Sequence, residues 1–204
     1  MDKPTLIRHL DAVAERDPQV ADGLALVGYP EPRLTEHGFA TLMNIIISQQ
    51  ISRDAATAIR LRVDALYPDG AAESFLALSD DDLKGAGLSR PKIAYARGLA
   101  QAIADGTLDL SNVADMPDAD AVAAIVALKG FGRWSAEIYC MFALRREDMF
   151  PGEDIALQEA MRRLKGLEAR PSAKEARSLA EAWSPWRTAM SVFLWHYYRG
   201  APQS

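Results

Sequence analysis

Cysteine is nearly absent from this chain of 204 residues, in which Cys140 is the single thiol. One thiol excludes a disulfide within the chain and any zinc or iron–sulfur site built from several cysteines. The three histidines, His9, His37 and His196, are scattered along the sequence and suggest no metal site. A lone thiol is compatible with the reducing cytosol, so we expect a cytoplasmic protein.

Long hydrophobic runs are also missing. The longest, residues 121–128, is far too short to cross a membrane. Residues 1–13 carry four charges and no apolar run of the kind found in signal peptides. We therefore expect neither a membrane partner nor a secretory signal. Alternating runs of β-branched and aromatic residues are nearly absent too, which argues against a β-rich fold.

Alanine and leucine at helical spacing dominate instead, and apolar residues make up 49% of the composition. This favours an all-α protein with a substantial core. Pro30-Glu31-Pro32 separates an N-terminal helical segment, residues 1–34, from the body, residues 35–204. Helices of the body are expected at about residues 38–50, 52–66, 118–128, 133–145, 172–182 and 185–199, with a loop at 107–117.

Charge is unevenly distributed along the sequence. The formal net charge of −5 argues against nucleic acid binding when taken alone. Residues 1–127 contribute −8, however, and residues 128–204 contribute +3. A DNA-binding protein needs a basic face rather than a basic total, so the asymmetry permits nucleic acid binding without demonstrating it.

The most informative stretch is a glycine-rich turn between two apolar helices, LKGFGRWSA at residues 128–136. Glycine lets the backbone approach a ligand closely, and the second helix adds free N–H groups and a positive dipole end. Together these suit a phosphate, with Lys129 and Arg133 on either side. The alternative is that Gly130 is an ordinary helix C-cap and Gly132 part of a common turn.

A carboxylate follows this turn. Asp154 lies 22 residues after Gly132, where Pro151-Gly152 interrupts the chain before a new helix. The helix dipole stabilises the ionised form of a carboxylate in the first turn. Asp154 could also be a simple helix cap, and the neighbouring Glu153 is a competing candidate.

Turn and carboxylate together resemble the helix-hairpin-helix DNA glycosylases, and the chain is similar to their 3-methyladenine DNA glycosylase II family. The resemblance covers about residues 35–200. It implies an all-α fold of two helical lobes, with the active site in the cleft between them. Further similar segments are NIIISQQIS at 44–52, residues 83–100 with GLS at 87–89 and Lys92, and WSPWR at 183–187 followed by Leu194-Trp195.

The resemblance implies a monofunctional enzyme of base excision repair, acting as a monomer on double-stranded DNA in the bacterial nucleoid. Its substrates would be alkylated, cationic purines such as 3-methyladenine, and its product an abasic site. No cofactor is implied for catalysis. A structural sodium or potassium ion is implied at the hairpin, bound by the backbone carbonyls of Val126, Leu128 and Gly130.

The resemblance makes Asp154 the catalytic carboxylate, which would stabilise positive charge on the sugar. Trp134 and Trp195 are expected to stack on a base flipped out of the duplex, and Ile138 lies where some relatives have an aromatic residue. We add Tyr139 to this base pocket. Each of these four side chains could instead be part of the core.

Gln50 is expected to fill the gap that the flipped base leaves in the duplex, with Gln49 beside it. Both could instead belong to a solvated helix end. Relatives that also cut the strand have a lysine at the position of Trp134, and tryptophan cannot form their Schiff base. The residues expected to contact DNA are Gln49, Gln50, Lys129, Gly130, Gly132, Arg133 and Ser135.

Three other functions stay open on sequence alone. A glycosylase for oxidised or deaminated bases would share the fold and the carboxylate and differ in the pocket. A non-catalytic helix-hairpin-helix DNA-binding protein would retain the turn, although the presence of Asp154 argues against it. A helical interaction module unrelated to DNA would fail to bind DNA even at low salt.

Overall fold

The computed structural model describes residues 1–202, which form α-helices joined by turns and contain no β-strand. The expected all-α class is therefore confirmed. A short 3-10 helix, Glu181–Trp183, precedes the last α-helix. In chain order the α-helices are α1 (Lys3–Ala14), α2 (Pro18–Val27), α3 (Phe39–Ser48), α4 (Arg53–Asp64), α5 (Ala72–Leu76), α6 (Asp80–Gly85), α7 (Arg90–Ala104), α8 (Leu110–Asp115), α9 (Asp118–Val126), α10 (Arg133–Phe142), α11 (Ile155–Lys165), α12 (Ala173–Ala180) and α13 (Arg187–Gly200).

One compact unit combines residues 1–35 with the chain from Cys140 onward. Its central helix is α13, in which seven consecutive residues from Thr188 to Leu194 are buried. A helix buried on all sides needs neighbours all round, and α1, α2 and α11 pack against it. The N-terminal segment, expected as a separate element, is therefore an integral part of this unit.

The second compact unit consists of residues 36–139. Its central helix is α7, against which α3, α5 and α6 pack. The rings of Phe39, Tyr67 and Phe75 meet edge to face beside it, with centroids between 5.4 and 6.1 Å apart. Burial raises the pKa of the Tyr67 phenol to about 12, as expected for a ring inside a core.

Helix starts follow the capping signals of the sequence. The hydroxyl of Ser52 accepts a hydrogen bond from the N–H of Ala55 and begins α4, as expected. Pro91 lies in the first turn of α7, where its missing N–H costs nothing. Several helices are shorter than expected. For example, α10 ends at Phe142 rather than near residue 145.

The segment 107–117, predicted as a loop, contains α8. The carboxylate of Asp109 accepts hydrogen bonds from the N–H groups of Ser111 at 2.9 Å and Asn112 at 3.2 Å. This N-cap satisfies donors that would otherwise have no partner, so even a helix of six residues forms here. The prediction of a loop was wrong because it ignored Asp109 as a cap.

No helix within residues 1–202 is long and apolar enough to span a membrane. The same residues contain no cluster of three or more histidine, cysteine or acidic side chains that could bind a metal ion. The thiol of Cys140 is buried.

Candidate functional site

The two glycines of the turn between α9 and α10 have different roles. Gly130 has φ +99°, and a Cβ added to it would lie 2.4 Å from Cγ of Tyr95. An alanine cannot occupy such a position without strain. A Cβ at Gly132 would meet nothing within 4 Å. The fold therefore requires Gly130, whereas Gly132 leaves open space at the start of α10.

Basic side chains flank this open space. Lys129 is exposed, and Arg133 donates from Nε to the carboxylate of Glu137 at 3.0 Å. The Glu137 side chain is 2% exposed and that of Arg133 is 59% exposed, so a buried acid orients a guanidinium that stays in solvent. The first-turn N–H groups of α10 add its positive dipole end. This surface can bind a phosphate, but Ser135, expected to contribute, is buried.

The loop after α3 contains a strained residue. Gln50 has φ +59°, the left-handed region that residues other than glycine rarely adopt, and its side chain is exposed. Such strain persists only where neighbouring structure holds it, and it is frequent at functional sites. Gln49 is half-buried, and its amide Nε2 donates to the carbonyl of Gly130 at 2.9 Å. The two glutamines therefore have different environments.

Two of the three carbonyls that the resemblance assigns to a cation already accept hydrogen bonds. Gly130 accepts from Gln49, and Leu128 accepts from the N–H of Phe131 at 3.2 Å. A carbonyl oxygen has two lone pairs, so each can still make one further contact. The chemistry of Val126, Leu128 and Gly130 therefore fits a cation through the remaining lone pairs.

Tyr139, expected in the base pocket, lies in a core. It is 0% exposed, and its hydroxyl accepts from the N–H of Gly38 at 3.1 Å and donates to Nδ1 of His37 at 2.6 Å. His37 in turn donates from Nε2 to the carbonyl of Leu110 at 3.0 Å, which requires the proton on Nε2. This placement argues against stacking of the Tyr139 ring on a base.

The other pocket candidates keep exposed surface. Trp134 is 39% exposed in the first turn of α10, and the half-buried Ile138 follows one turn later on the same face. Trp195 on α13 is half-buried, with its ring centroid 6.0 Å from that of Phe142. The guanidinium of Arg33 lies 4.8 Å from the centroid of the Phe142 ring. Phe142, which the sequence did not indicate, therefore contacts both Trp195 and Arg33.

Asp154 is the N-cap of α11. Its Oδ1 accepts a hydrogen bond from the N–H of Leu157 at 3.0 Å, so Asp154 does cap this helix. Capping does not exclude catalysis, because a carboxylate has two oxygens and several lone pairs. The cap holds the carboxylate at the N-terminal end of α11, beside the partial positive charge of its first-turn N–H groups.

The competing carboxylate, Glu153, forms an ion pair with Arg177 of α12. Arg177 also donates to the carbonyl of Phe150 at 2.5 Å, and a Cβ at Gly152 would lie 2.7 Å from its Cγ. The amide of Gln158 donates to the Gly152 carbonyl at 2.7 Å. Arg177 and Gln158, which sequence reasoning missed, thus position the chain before Asp154.

Known proteins similar to this chain agree on its fold. A Bacillus subtilis protein named as a candidate DNA-3-methyladenine glycosylase is 29% identical to this chain over 162 residues. The aligned part is 76% of this chain but only 56% of the relative's own length. The solved DNA-3-methyladenine glycosidase of Bacillus halodurans is 27% identical, with a TM-score of 0.84 over 94% of this chain and 89% of its own. The 3-methyladenine DNA glycosylase of Schizosaccharomyces pombe, solved with abasic DNA, is 24% identical, with a TM-score of 0.82 over 92% of this chain and 95% of its own.

These structural matches confirm the expected helix-hairpin-helix glycosylase fold. The protein family described as HhH-GPD superfamily base excision DNA repair protein matches residues 43–185, which is more than half of the chain. The matched range contains the loop with Gln50, the turn with Gly130 and Gly132, and the Asp154 cap. The chain belongs to the HhH-GPD superfamily of base excision DNA repair proteins.

Proposed function

We propose that this protein is a monofunctional DNA glycosylase that removes alkylated, cationic purines such as 3-methyladenine from double-stranded DNA. The observation that carries the proposal is the capping carboxylate of Asp154, in a chain of this superfamily that also has an open turn at Gly132 flanked by exposed basic side chains. The names of its relatives, which refer to 3-methyladenine, support the substrate class.

DNA binding is assigned to the turn before α10. Gly132 offers space for a phosphate to approach the first-turn N–H groups, and Lys129 and Arg133 add positive charge. Contacts of this kind hold the DNA backbone in position without reading base sequence. This suits an enzyme that must find damage in any sequence.

The damaged nucleotide must leave the stack before its glycosidic bond can be reached. Gln50, exposed on its strained loop, is suited to enter the duplex and hydrogen-bond the base left without a partner. The exposed face of Trp134 is suited to stack on the extruded base. A cationic purine gains both stacking and cation–π attraction from an indole.

Asp154 acts on the sugar. As the bond between C1′ and the purine nitrogen breaks, the bonding electrons leave with the base and neutralise its positive charge. Positive charge develops on the sugar, where the ionised carboxylate of Asp154 stabilises it. Water then adds to C1′ and gives up a proton, so the products are the free base and an abasic site. An alkylated purine is a good leaving group and needs no strong general acid.

The strand stays intact in this reaction. Strand cutting by relatives begins with a lysine amine that attacks C1′, and Trp134 has no amine to offer. Catalysis by Asp154 requires no cofactor. We also propose a structural sodium or potassium ion at the carbonyls of Val126, Leu128 and Gly130, and a monomeric protein that works in the cytoplasm. Replacing potassium by tetramethylammonium at equal ionic strength should then weaken DNA binding.

The test is release of free bases from methylated duplex DNA, separated by chromatography. The wild-type protein should release 3-methyladenine and leave sites that break only after treatment with alkali. Measurable DNA binding without release of any methylated base would contradict the proposal and favour another lesion or a non-catalytic role.

A further inference from the structure

The side chain of Gln49 connects the loop that carries Gln50 to the turn that carries Gly132. The amide of Gln49 donates to the carbonyl of Gly130 at 2.9 Å, across 81 positions of sequence. We propose that Gln49 is a positioning residue that makes phosphate binding by the turn and insertion of Gln50 into the duplex one coupled event. This inference rests on the proposed function and deepens it.

Both ends of this connection are supported by one face of α7. Lys92 donates from Nζ to the carbonyl of Ile47 at 2.7 Å, close to the end of α3. Three residues further on, the ring of Tyr95 lies against Gly130, so close that it leaves no room for a Cβ there. Residues three apart share a helix face, so α7 supports the loop and the turn together. Lys92 is half-buried, and this burial lowers the pKa of its ammonium group.

The backbone explains why Gln49 controls its neighbour. Gln49 is extended, with φ −61° and ψ 129°, and the next residue, Gln50, is left-handed with φ +59°. The chain therefore turns sharply between them, and the strained conformation must be held from outside. The hydrogen bond from Gln49 to Gly130 anchors the residue at which this sharp bend of the loop begins. Without it, the loop can relax and Gln50 loses its defined position.

A double-mutant cycle tests the coupling. Single-turnover excision from methylated duplex DNA is measured for the wild type, Gln49→Ala, Gln50→Ala and the double variant. Each single change should slow excision about tenfold, and the double variant should be slowed about tenfold as well, because an unanchored Gln50 has little left to lose. Independent effects, with the double variant slowed about a hundredfold, would overturn the coupling. If Gln49→Ala acted only by lowering the stability of the fold, its effect and that of Gln50→Ala would likewise be independent.

Two further variants guard against misfolding. Gln49→Glu keeps the size of the side chain but places a carboxylate oxygen against the Gly130 carbonyl, so it should slow excision at least as much as Gln49→Ala. The matched control is Gln101→Ala, since Gln101 is an exposed glutamine of α7 whose amide makes a 3.5 Å contact with Asp105. It should retain wild-type rates.

Measurements without DNA, on the wild-type protein and on Gln49→Glu, separate this inference from the proposed function. The side-chain NH2 of Gln49, followed by NMR, should exchange with solvent more slowly than that of Gln101, and Gln49→Glu should shift the carbonyl resonance of Gly130. Equal exchange at both glutamines would refute the connection even if bases are released. Slow exchange without any base release would contradict the proposed function and leave the connection in place.

Discussion

Replacing Gly130 by alanine should damage the fold far more than its size suggests. The added Cβ would lie 2.4 Å from Cγ, 2.6 Å from Cδ2 and 2.9 Å from Cβ of Tyr95. Two of these atoms are at or near the root of the tyrosine side chain, so the clash cannot be relieved by a small rotation of a flexible end. Overpacking of this kind costs about 1–3 kcal/mol. Holding alanine at φ +99° costs about 1–3 kcal/mol more.

Gly130→Ala is therefore expected to lower the free energy of unfolding by about 4 kcal/mol, a large part of the roughly 5–15 kcal/mol that stabilises a folded domain. Urea unfolding followed by circular dichroism measures it. Gly132→Ala is the matched control, because its Cβ meets nothing within 4 Å, and its stability should change by less than about 0.5 kcal/mol. Gly132→Ala should instead weaken binding to every DNA sequence alike. Similar stabilities for the two variants would refute the assignment of different roles to the two glycines.

Three other predictions concern the reaction, acid stability and strain. Borohydride added during turnover should trap no covalent complex with DNA, because Trp134 cannot form a Schiff base. Hydrogen bonds from Arg162 and Arg163 hold the pKa of Glu159 at about 2, below its ordinary 4.5, so its contribution to stability is complete above pH 4.5 and disappears towards pH 2. Glu159→Gln should therefore flatten the dependence of Tm on pH in that window. Gln50→Gly should raise stability by about 0.5 kcal/mol by removing left-handed strain, and slow excision about tenfold in the single-turnover assay.

Local signals in the sequence were sufficient for the helical class, the turn and the first helix caps. Ser52 and Pro91 mark helix starts through contacts with residues only a few positions away, and such contacts can be recognised in a sequence. The Asp154 cap is local in the same way. Family resemblance then supplied a role for this carboxylate that capping alone does not imply.

Contacts between distant segments decided what the sequence left open. Glu153 forms an ion pair with Arg177, which lies 24 residues further along the chain. Tyr139 looks like a pocket residue until its hydroxyl meets His37, 102 positions earlier. Such partners are brought together by packing, and no periodicity or local spacing encodes them.

Asp154→Asn separates the catalytic role of this carboxylate from its structural role as the N-cap of α11. Asparagine is as good an N-cap as aspartate, so the hydrogen bond from Leu157 can be retained. The interaction of the negative charge with the helix dipole is lost, which costs about 0.3–1 kcal/mol. Glu153→Gln is the control, because the exposed ion pair that it removes is worth about 1 kcal/mol or less.

The most direct measurement is single-turnover release of 3-methyladenine from methylated duplex DNA by the wild type, Asp154→Asn and Glu153→Gln at equal occupancy of DNA. We expect release to fall at least about a hundredfold in Asp154→Asn, with unchanged DNA affinity, and to stay near the wild-type rate in Glu153→Gln. Wild-type release by Asp154→Asn, or loss of release in Glu153→Gln alone, would contradict the assignment of Asp154 as the catalytic carboxylate.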